Sequence, residues 1–177
     1  VSRLNKIKHL IFASTSSVYG NTEKFPLNEN NNTDYPLSFY AASKKSNEVM
    51  AHSYSYIYRL PCTGVRFFTV YGPYGRPDMA LFKFTKNMID NNSIELFNDG
   101  IHERDFTYID DIVDGIYSLI KKRSKKSKIY EIFNIGNGSP KKLKDYVKQI
   151  EKNLELSAKI KKLPLQKGDV IKTHSDV

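Results

Sequence analysis

Phe12-Ala13-Ser14-Thr15-Ser16-Ser17-Val18-Tyr19-Gly20 is the stretch on which the reading of this chain turns. An apolar run over residues 9–15 stops in a block of hydroxyls, the pattern of a short buried strand that opens into a polar loop. Working outward, residues 39–56 read as a helix and residues 63–69 as a second strand, rich in β-branched and aromatic side chains. The Gly-Pro and Arg-Pro steps between Gly72 and Pro77 then mark a loop. Residues 80–91 read as a helix, 94–98 as a short strand, and Asp99-Gly100 as a turn. Asp110 is expected to cap a helix that reaches Lys121. Residues 130–135 read as a strand, and Ser139 with Pro140 as the start of a helix that reaches Leu154. Residues 159–163 complete the alternation as a strand.

Strands that alternate with helices predict an α/β fold with a mainly parallel sheet. Such sheets bind ligands at the carboxyl ends of their strands. The chemically loaded residues fall there, at 15–17 after the first strand and at 69–76 after the second. One feature of the pattern is odd. Residues 7–12 read as a central strand, yet only a polar lead precedes them, and the sequence holds no Gly-x-x-Gly-x-x-Gly loop for a pyrophosphate. Either the sheet is small, or the first half of a larger protein is missing.

The chain has 177 residues, of which 40% are hydrophobic, enough for one domain with a real core. No segment approaches the ~20 apolar residues that cross a membrane, and no signal peptide is visible. Cys62 is the single cysteine, so no internal disulfide can form and a cytoplasmic setting is expected. The formal net charge of +9 raises the possibility of a nucleic-acid partner. No aromatic residues alternate with the lysines as stacking platforms. The densest run, residues 121–128, reads as a solvated loop after a helix, so no nucleic acid is expected. His9, His52, His102 and His174 are scattered without zinc-like spacing, so no metal is expected.

Tyr40 and Lys44 stand four apart on the first predicted helix, which puts them on one face. A tyrosine alone, with a pKa near ~10, is a poor base at neutral pH. A neighbouring ammonium favours the phenolate, which makes Tyr-x-x-x-Lys a sensible acid/base pair. Ser14, Thr15, Ser16 and Ser17 supply hydroxyls from another element to share the proton.

Three ordered motifs, Phe12 to Gly20, Tyr40-Ala41-Ala42-Ser43-Lys44, and Arg66-Phe67-Phe68-Thr69-Val70-Tyr71-Gly72-Pro73, resemble the extended short-chain dehydrogenase/reductase family, with its NAD-dependent epimerases and dehydratases. The segments from Gly75 to Thr85, Gly100 to Ile112 and Gln166 to Thr173 are similar to blocks of the UDP-glucuronate 4-epimerases. The resemblance implies the C-terminal half of a Rossmann-type doubly wound parallel sheet plus a small substrate-binding subdomain. Residues 1–71 would be the second half of the NAD-binding fold. Residues 72–177 would mostly bind nucleotide sugar, with 104–135 returning to the core. The N-terminal glycine-loop half would be missing, and the fragment alone inactive.

Thr15, Tyr40 and Lys44 take the family's catalytic positions. Ser14, Tyr40, Lys44, Phe67 and Phe68 would lie by NAD. Ser16 and Ser17 would face the sugar, Thr69 and Arg76 its carboxylate end, Phe97 the uracil, Arg104 the diphosphate and Asp169 a ribose hydroxyl. Gln166 belongs to the same substrate set, at a place where UDP-galactose 4-epimerases carry an arginine. Tyr74 stands where glucuronate epimerases usually carry tryptophan. Ser16 and Ser17 replace the acidic residues that 4,6-dehydratases use for elimination, which favours simple 4-epimerisation. The resemblance further implies NAD as cofactor, a UDP-sugar as substrate and a homodimer in the complete protein. A UDP-glucose or UDP-N-acetylhexosamine 4-epimerase is the neighbouring alternative.

Overall fold

The computed structural model describes residues 1–121 and 128–177. The lysine-rich segment over 122–127, expected as a solvated loop, lies outside the described residues. In chain order the elements are β1 Leu10–Thr15, α1 Phe39–Tyr58, β2 Cys62–Phe67, β3 Thr69–Tyr71, α2 Ala80–Ile89, β4 Ser93–Phe97, β5 Glu103–Arg104, β6 Phe106–Tyr108, α3 Ile109–Lys121, β7 Tyr130–Ile135, β8 Lys141–Lys142, α4 Leu143–Leu154 and β9 Lys159–Leu163.

The main sheet is parallel, in the order β1-β2-β7. β2 is its centre, and Cys62 through Arg66 are all buried there. Gly64 sits in the middle of β2 because the side chains of Phe12 and Ile132, its register partners on either side, close over it. A Cβ at this point would come within 2.5 Å of Ile132 and 2.7 Å of Phe12. α1 packs across all three strands. Its N-terminus is capped by Ser38, whose Oγ accepts from the Ala41 amide at 3.1 Å, a bond worth about 1 kcal/mol.

The second half of the chain builds a smaller lobe. β4 and β9 pair in parallel, and α2 and α4 pack beside them. Phe84 and Met88 of α2, Ile94 and Leu96 of β4, and Val147 of α4 form its buried core. Two short pairs join the lobes: β3 with β6, parallel, and β5 with β8, antiparallel.

The α/β alternation predicted from the sequence is present, with differences in burial and in boundaries. β1 is not uniformly buried: Leu10 to Phe12 are half-buried and Ala13 is exposed, because β1 has a strand neighbour on one side only among the described residues. The second predicted strand breaks at Phe68, whose ring turns into a cluster with Val18, Tyr19 and Leu27, and Thr69 starts a new strand. α1 continues to Tyr58, where Arg59 adopts a left-handed backbone. Asp110 lies inside the first turn of α3 rather than capping it, a place where a carboxylate still complements the helix dipole. Ser139-Pro140 does not begin α4. Lys141 and Lys142 pair instead with Arg104 and Glu103, and the helix starts at Leu143.

Candidate active site

Thr15 ends β1 and caps the short 3-10 helix Ser16–Tyr19; its Oγ1 accepts from the Ser17 amide and donates to Ser17 Oγ, both at 3.2 Å. Ser16 and Ser17 are half-buried at this mouth. Above it lies the first turn of α1. Lys44 Nζ donates to the Ala13 carbonyl at 3.1 Å. Tyr40, one turn earlier, is 54% exposed. Lys44 thus ties α1 to β1 two residues before Thr15, and Tyr40 stands one turn earlier on the same helix.

Ser14 and Phe68 are placed differently from the expectation that they lie by a cofactor. Ser14 is buried and its Oγ donates to Glu48 Oε1 at 2.6 Å. Strand alternation turns its side chain away from Thr15, under the helix. Phe68 is a core residue of the cluster named above. Phe67 remains half-buried at the end of β2.

A cleft of about 810 Å³ opens where β3, α2, β4 and β5 meet, and Thr15, Tyr40 and Lys44 are not among its lining residues; its size is within the range of small-molecule sites. Thr69, Arg76, Phe97, Arg104, Gln166 and Asp169 all line it. These six residues come from separate parts of the sequence and meet only in the folded chain. Arg76 forms a two-pronged ion pair with Asp78, its Nε donating to Oδ1 at 3.0 Å. The Asp78 carboxylate chiefly, and Tyr40 to a smaller degree, hold the Arg76 guanidinium above its ordinary pKa.

Arg104 is held more firmly. It donates to the carbonyls of Glu103 and Ile171 and to Asp169 Oδ1, the last at 2.7 Å. Burial pulls its guanidinium below the usual arginine value while Asp169 pulls the other way; arginine stays charged in either case. Arg104 and Asp105 are not paired with each other. Asp105 is fully buried and accepts instead from the amides of Asn137, Gly138 and Ser175 and from Ser175 Oγ. That carboxylate pins the C-terminal segment under the cleft.

Asp169 belongs to a turn closed by its own amide bonding to Gln166 O at 3.2 Å. Gly168 there has φ +79°, and a Cβ on it would come within 3.0 Å of the Leu37 carbonyl. Only glycine lets this turn lie against the entry to α1, so one loop touches both the cleft and the Tyr40 helix.

His102 also lines the cleft, and reading the sequence gave it no role. It is buried, its Nδ1 lies 3.9 Å from Asp169 Oδ2, and its Nε2 has no hydrogen-bond partner. Burial first, and Arg104 second, lower its pKa against the pull of Asp169, so the ring is held neutral. Its place two residues before Arg104, on the way into β5, was the available signal. Among the described residues, no cluster of three or more His, Cys, Asp or Glu could hold a metal, and no helix is long and apolar enough to cross a membrane.

A family model described as the NAD dependent epimerase/dehydratase family matches residues 1–136. The chain is 49% identical over 190 residues to Protein CapI of Staphylococcus aureus, covering 99% of this chain and 57% of that protein. It is 44% identical over 183 residues to a probable UDP-glucuronate 4-epimerase of Rhizobium meliloti, covering 95% and 54%. The crystal structure of UDP-glucuronic acid 4-epimerase from Bacillus cereus, in complex with UDP-glucuronic acid and NAD, superposes with a TM-score of 0.92 at 34% identity, over 99% of this chain and 55% of that one. The chain spans about half the length of the curated relatives it matches.

Proposed function

The chain belongs to the NAD dependent epimerase/dehydratase family, and we propose that it forms the catalytic and nucleotide-sugar-binding part of a UDP-sugar 4-epimerase that interconverts UDP-glucuronate and UDP-galacturonate. The observation that carries this reading is convergence. Two arginines, an aromatic ring and three smaller polar side chains meet in one cleft, in a chain that also carries a tyrosine and a lysine on one helix face.

The roles follow from charge and reach. UDP-glucuronate carries a diphosphate and a carboxylate, and a guanidinium binds such groups through paired hydrogen bonds. Arg104, preset by two carbonyls and Asp169, takes the diphosphate. Arg76 exchanges Asp78 for the sugar carboxylate, with Thr69 beside it. Phe97 gives the uracil an apolar face, while Gln166 and Asp169 bond to the ribose side. At the reacting carbon, Tyr40 removes the 4-hydroxyl proton and later returns it, with Lys44 stabilising the phenolate and Thr15 sharing the proton. Ser16 and Ser17 are too weakly acidic and basic for the elimination of a dehydratase, so the 4-keto sugar is simply reduced again on its other face.

NAD fits the residues present. Lys44 sets an ammonium on the Ala13 carbonyl near the carboxyl end of β1, Tyr40 adds a phenol one turn earlier on the same helix, a donor set suited to a ribose diol, and Phe67 ends β2. Those three residues would hold it, and the chemistry it supplies when bound is reversible hydride uptake. A homodimer in the cytoplasm completes the proposal. Val49, Met50, Tyr56 and Ile57 leave an apolar surface exposed on α1, suited to a second copy, which light scattering would detect.

The test begins with the coding DNA upstream of Val1, where a glycine-loop segment is expected. The product of the complete reading frame is then assayed with UDP-glucuronate, UDP-glucose and UDP-N-acetylglucosamine. Tyr40→Phe should lower kcat by roughly 10²–10⁴-fold with UDP affinity retained. Wild-type turnover in that variant would remove Tyr40 from the mechanism.

A further inference from the structure

A row of polar side chains crosses the main sheet near the carboxyl ends of its strands. Ser14 of β1, Arg66 of β2 and Asn134 of β7 are register partners in one line. That line lies one residue before Thr15, where the strands open into the site. Glu48 of α1 sits on top of it. Ser14 Oγ donates to Glu48 Oε1 at 2.6 Å, Arg66 Nε donates to the same oxygen at 2.8 Å, and Arg66 Nη2 donates to Oε2 at 2.9 Å. The remaining guanidinium nitrogen donates to the Glu29 carbonyl, and the guanidinium lies 4.8 Å from the centre of the Tyr19 ring. Tyr19 in turn donates to Asn134. The Glu48 and Arg66 side chains are only 4% and 5% exposed.

A buried pair of this kind is a weak source of stability. The cost of removing two charges from water roughly cancels their attraction, and apolar residues of the same size would serve as well. Direction is what the pair adds. Apolar burial is non-directional, whereas hydrogen bonds weaken steeply with distance and angle. Tyr40, Lys44 and Glu48 follow one another at successive turns along one stripe of α1. Two of these turns grip two successive residues of β1: Lys44 holds the Ala13 carbonyl at 3.1 Å and Glu48 holds the Ser14 hydroxyl. Tyr130 adds a third tie by donating to the Glu48 carbonyl at 3.0 Å.

We propose that Glu48 is a positioning residue: with Ser14 and Arg66 it sets the rotation and axial register of α1 on β1, and so the placement of Tyr40 and Lys44 relative to Thr15. The proposal rests on the epimerase reading for its catalytic consequence, but its geometric content stands apart from that reading. Misplacement of reacting groups by about 1 Å can cost 10²-fold in rate, so kcat reads any loss of the α1 register.

The test uses Ser14→Ala, Ser14→Thr and Glu48→Gln in the product of the complete reading frame. Ser55→Ala is the control. Ser55 is buried on the same helix far from the site, where its hydroxyl bonds to the carbonyls of Leu60 and Ile129. Positioning predicts that Ser14→Ala and Glu48→Gln lower kcat roughly 10–100-fold with KM unchanged, and that amide hydrogen exchange speeds up over residues 40–44. Ser14→Thr, which keeps the donor, should restore both. Ser55→Ala should loosen only the far end of α1 and leave kcat alone. Wild-type kcat and exchange in Ser14→Ala would overturn the proposal, as would an equal kcat loss in Ser55→Ala. Should Glu48→Gln fail to fold, the Ser14 pair decides. Should the wild-type protein turn over no UDP-sugar, the epimerase reading fails, and the exchange pattern over residues 40–44 alone upholds or overturns the positioning role.

Discussion

Replacing Asp105 by asparagine should unfasten the C-terminal segment from the rest of the chain. Asp105 is 0% exposed. Its Oδ1 accepts from the Asn137 amide at 2.9 Å. Its Oδ2 accepts from the Gly138 amide at 3.0 Å, from the Ser175 amide at 2.8 Å and from Ser175 Oγ. Every partner is a donor, so an amide cannot satisfy them all. The best arrangement keeps the carbonyl oxygen at the Oδ2 position and turns the new NH₂ toward the Asn137 amide, donor against donor. That clash leaves buried groups unsatisfied at about 1–3 kcal/mol. The three retained bonds lose their charge assistance, which roughly halves each of them. Together these losses come to about 3–7 kcal/mol. Ser175→Ala, which deletes one of the four bonds, should cost about 1–2 kcal/mol. Urea unfolding of the complete-frame product, followed by circular dichroism, measures both. A loss below about 1 kcal/mol for Asp105→Asn would refute the claim that this carboxylate anchors the segment.

Three other outcomes are expected. Arg104→Ala should weaken UDP binding by roughly 10–100-fold, the loss of one or two charge-assisted bonds, read by isothermal titration; unchanged affinity would take Arg104 out of the diphosphate site. Phe84→Ala should destabilise the small lobe by about 3–5 kcal/mol, because Phe84 is buried against Met88, Ile94 and Leu96; a calorimetric scan would show it. Stability should also fall with acid in two windows. Burial pushes the Glu48 carboxyl up, but Arg66, Ser14 and Lys45 outweigh it, so its folded pKa lies below the ordinary 4.5. Its contribution is therefore complete above that pH and is lost as pH falls through the lower folded value. His102 is held below its ordinary 6.5, burial being the largest cause. The unfolded chain takes up that proton first, so stability declines as pH drops below 6.5. His102→Gln should abolish the second window in pH-dependent urea midpoints, and an unchanged slope would show that the ring is not held neutral.

The sequence by itself determined the elements whose information is local. An apolar run that ends in hydroxyls marks β1 and its loop, Gly-Pro steps mark the loop after the second strand, and an i, i+4 spacing joins Tyr40 to Lys44. Each depends on neighbours a few residues away, which periodicity reports directly. The same holds for the alternation that predicted a parallel α/β sheet. Tertiary structure decided everything that depends on partners distant in the chain. The break at Phe68 arises because its ring packs on Val18, Tyr19 and Leu27. The late start of α4 arises because Lys141 and Lys142 pair with β5. Ser14 and Thr15 are adjacent hydroxyls that look equivalent in sequence, but strand alternation sends one to Glu48 and leaves the other at the mouth of the site. His102 and Glu48 gained their meaning only when folding brought Asp169 to one and Arg66 to the other. Burial and hydrogen-bond geometry are properties of those long-range encounters, and no local pattern encodes them.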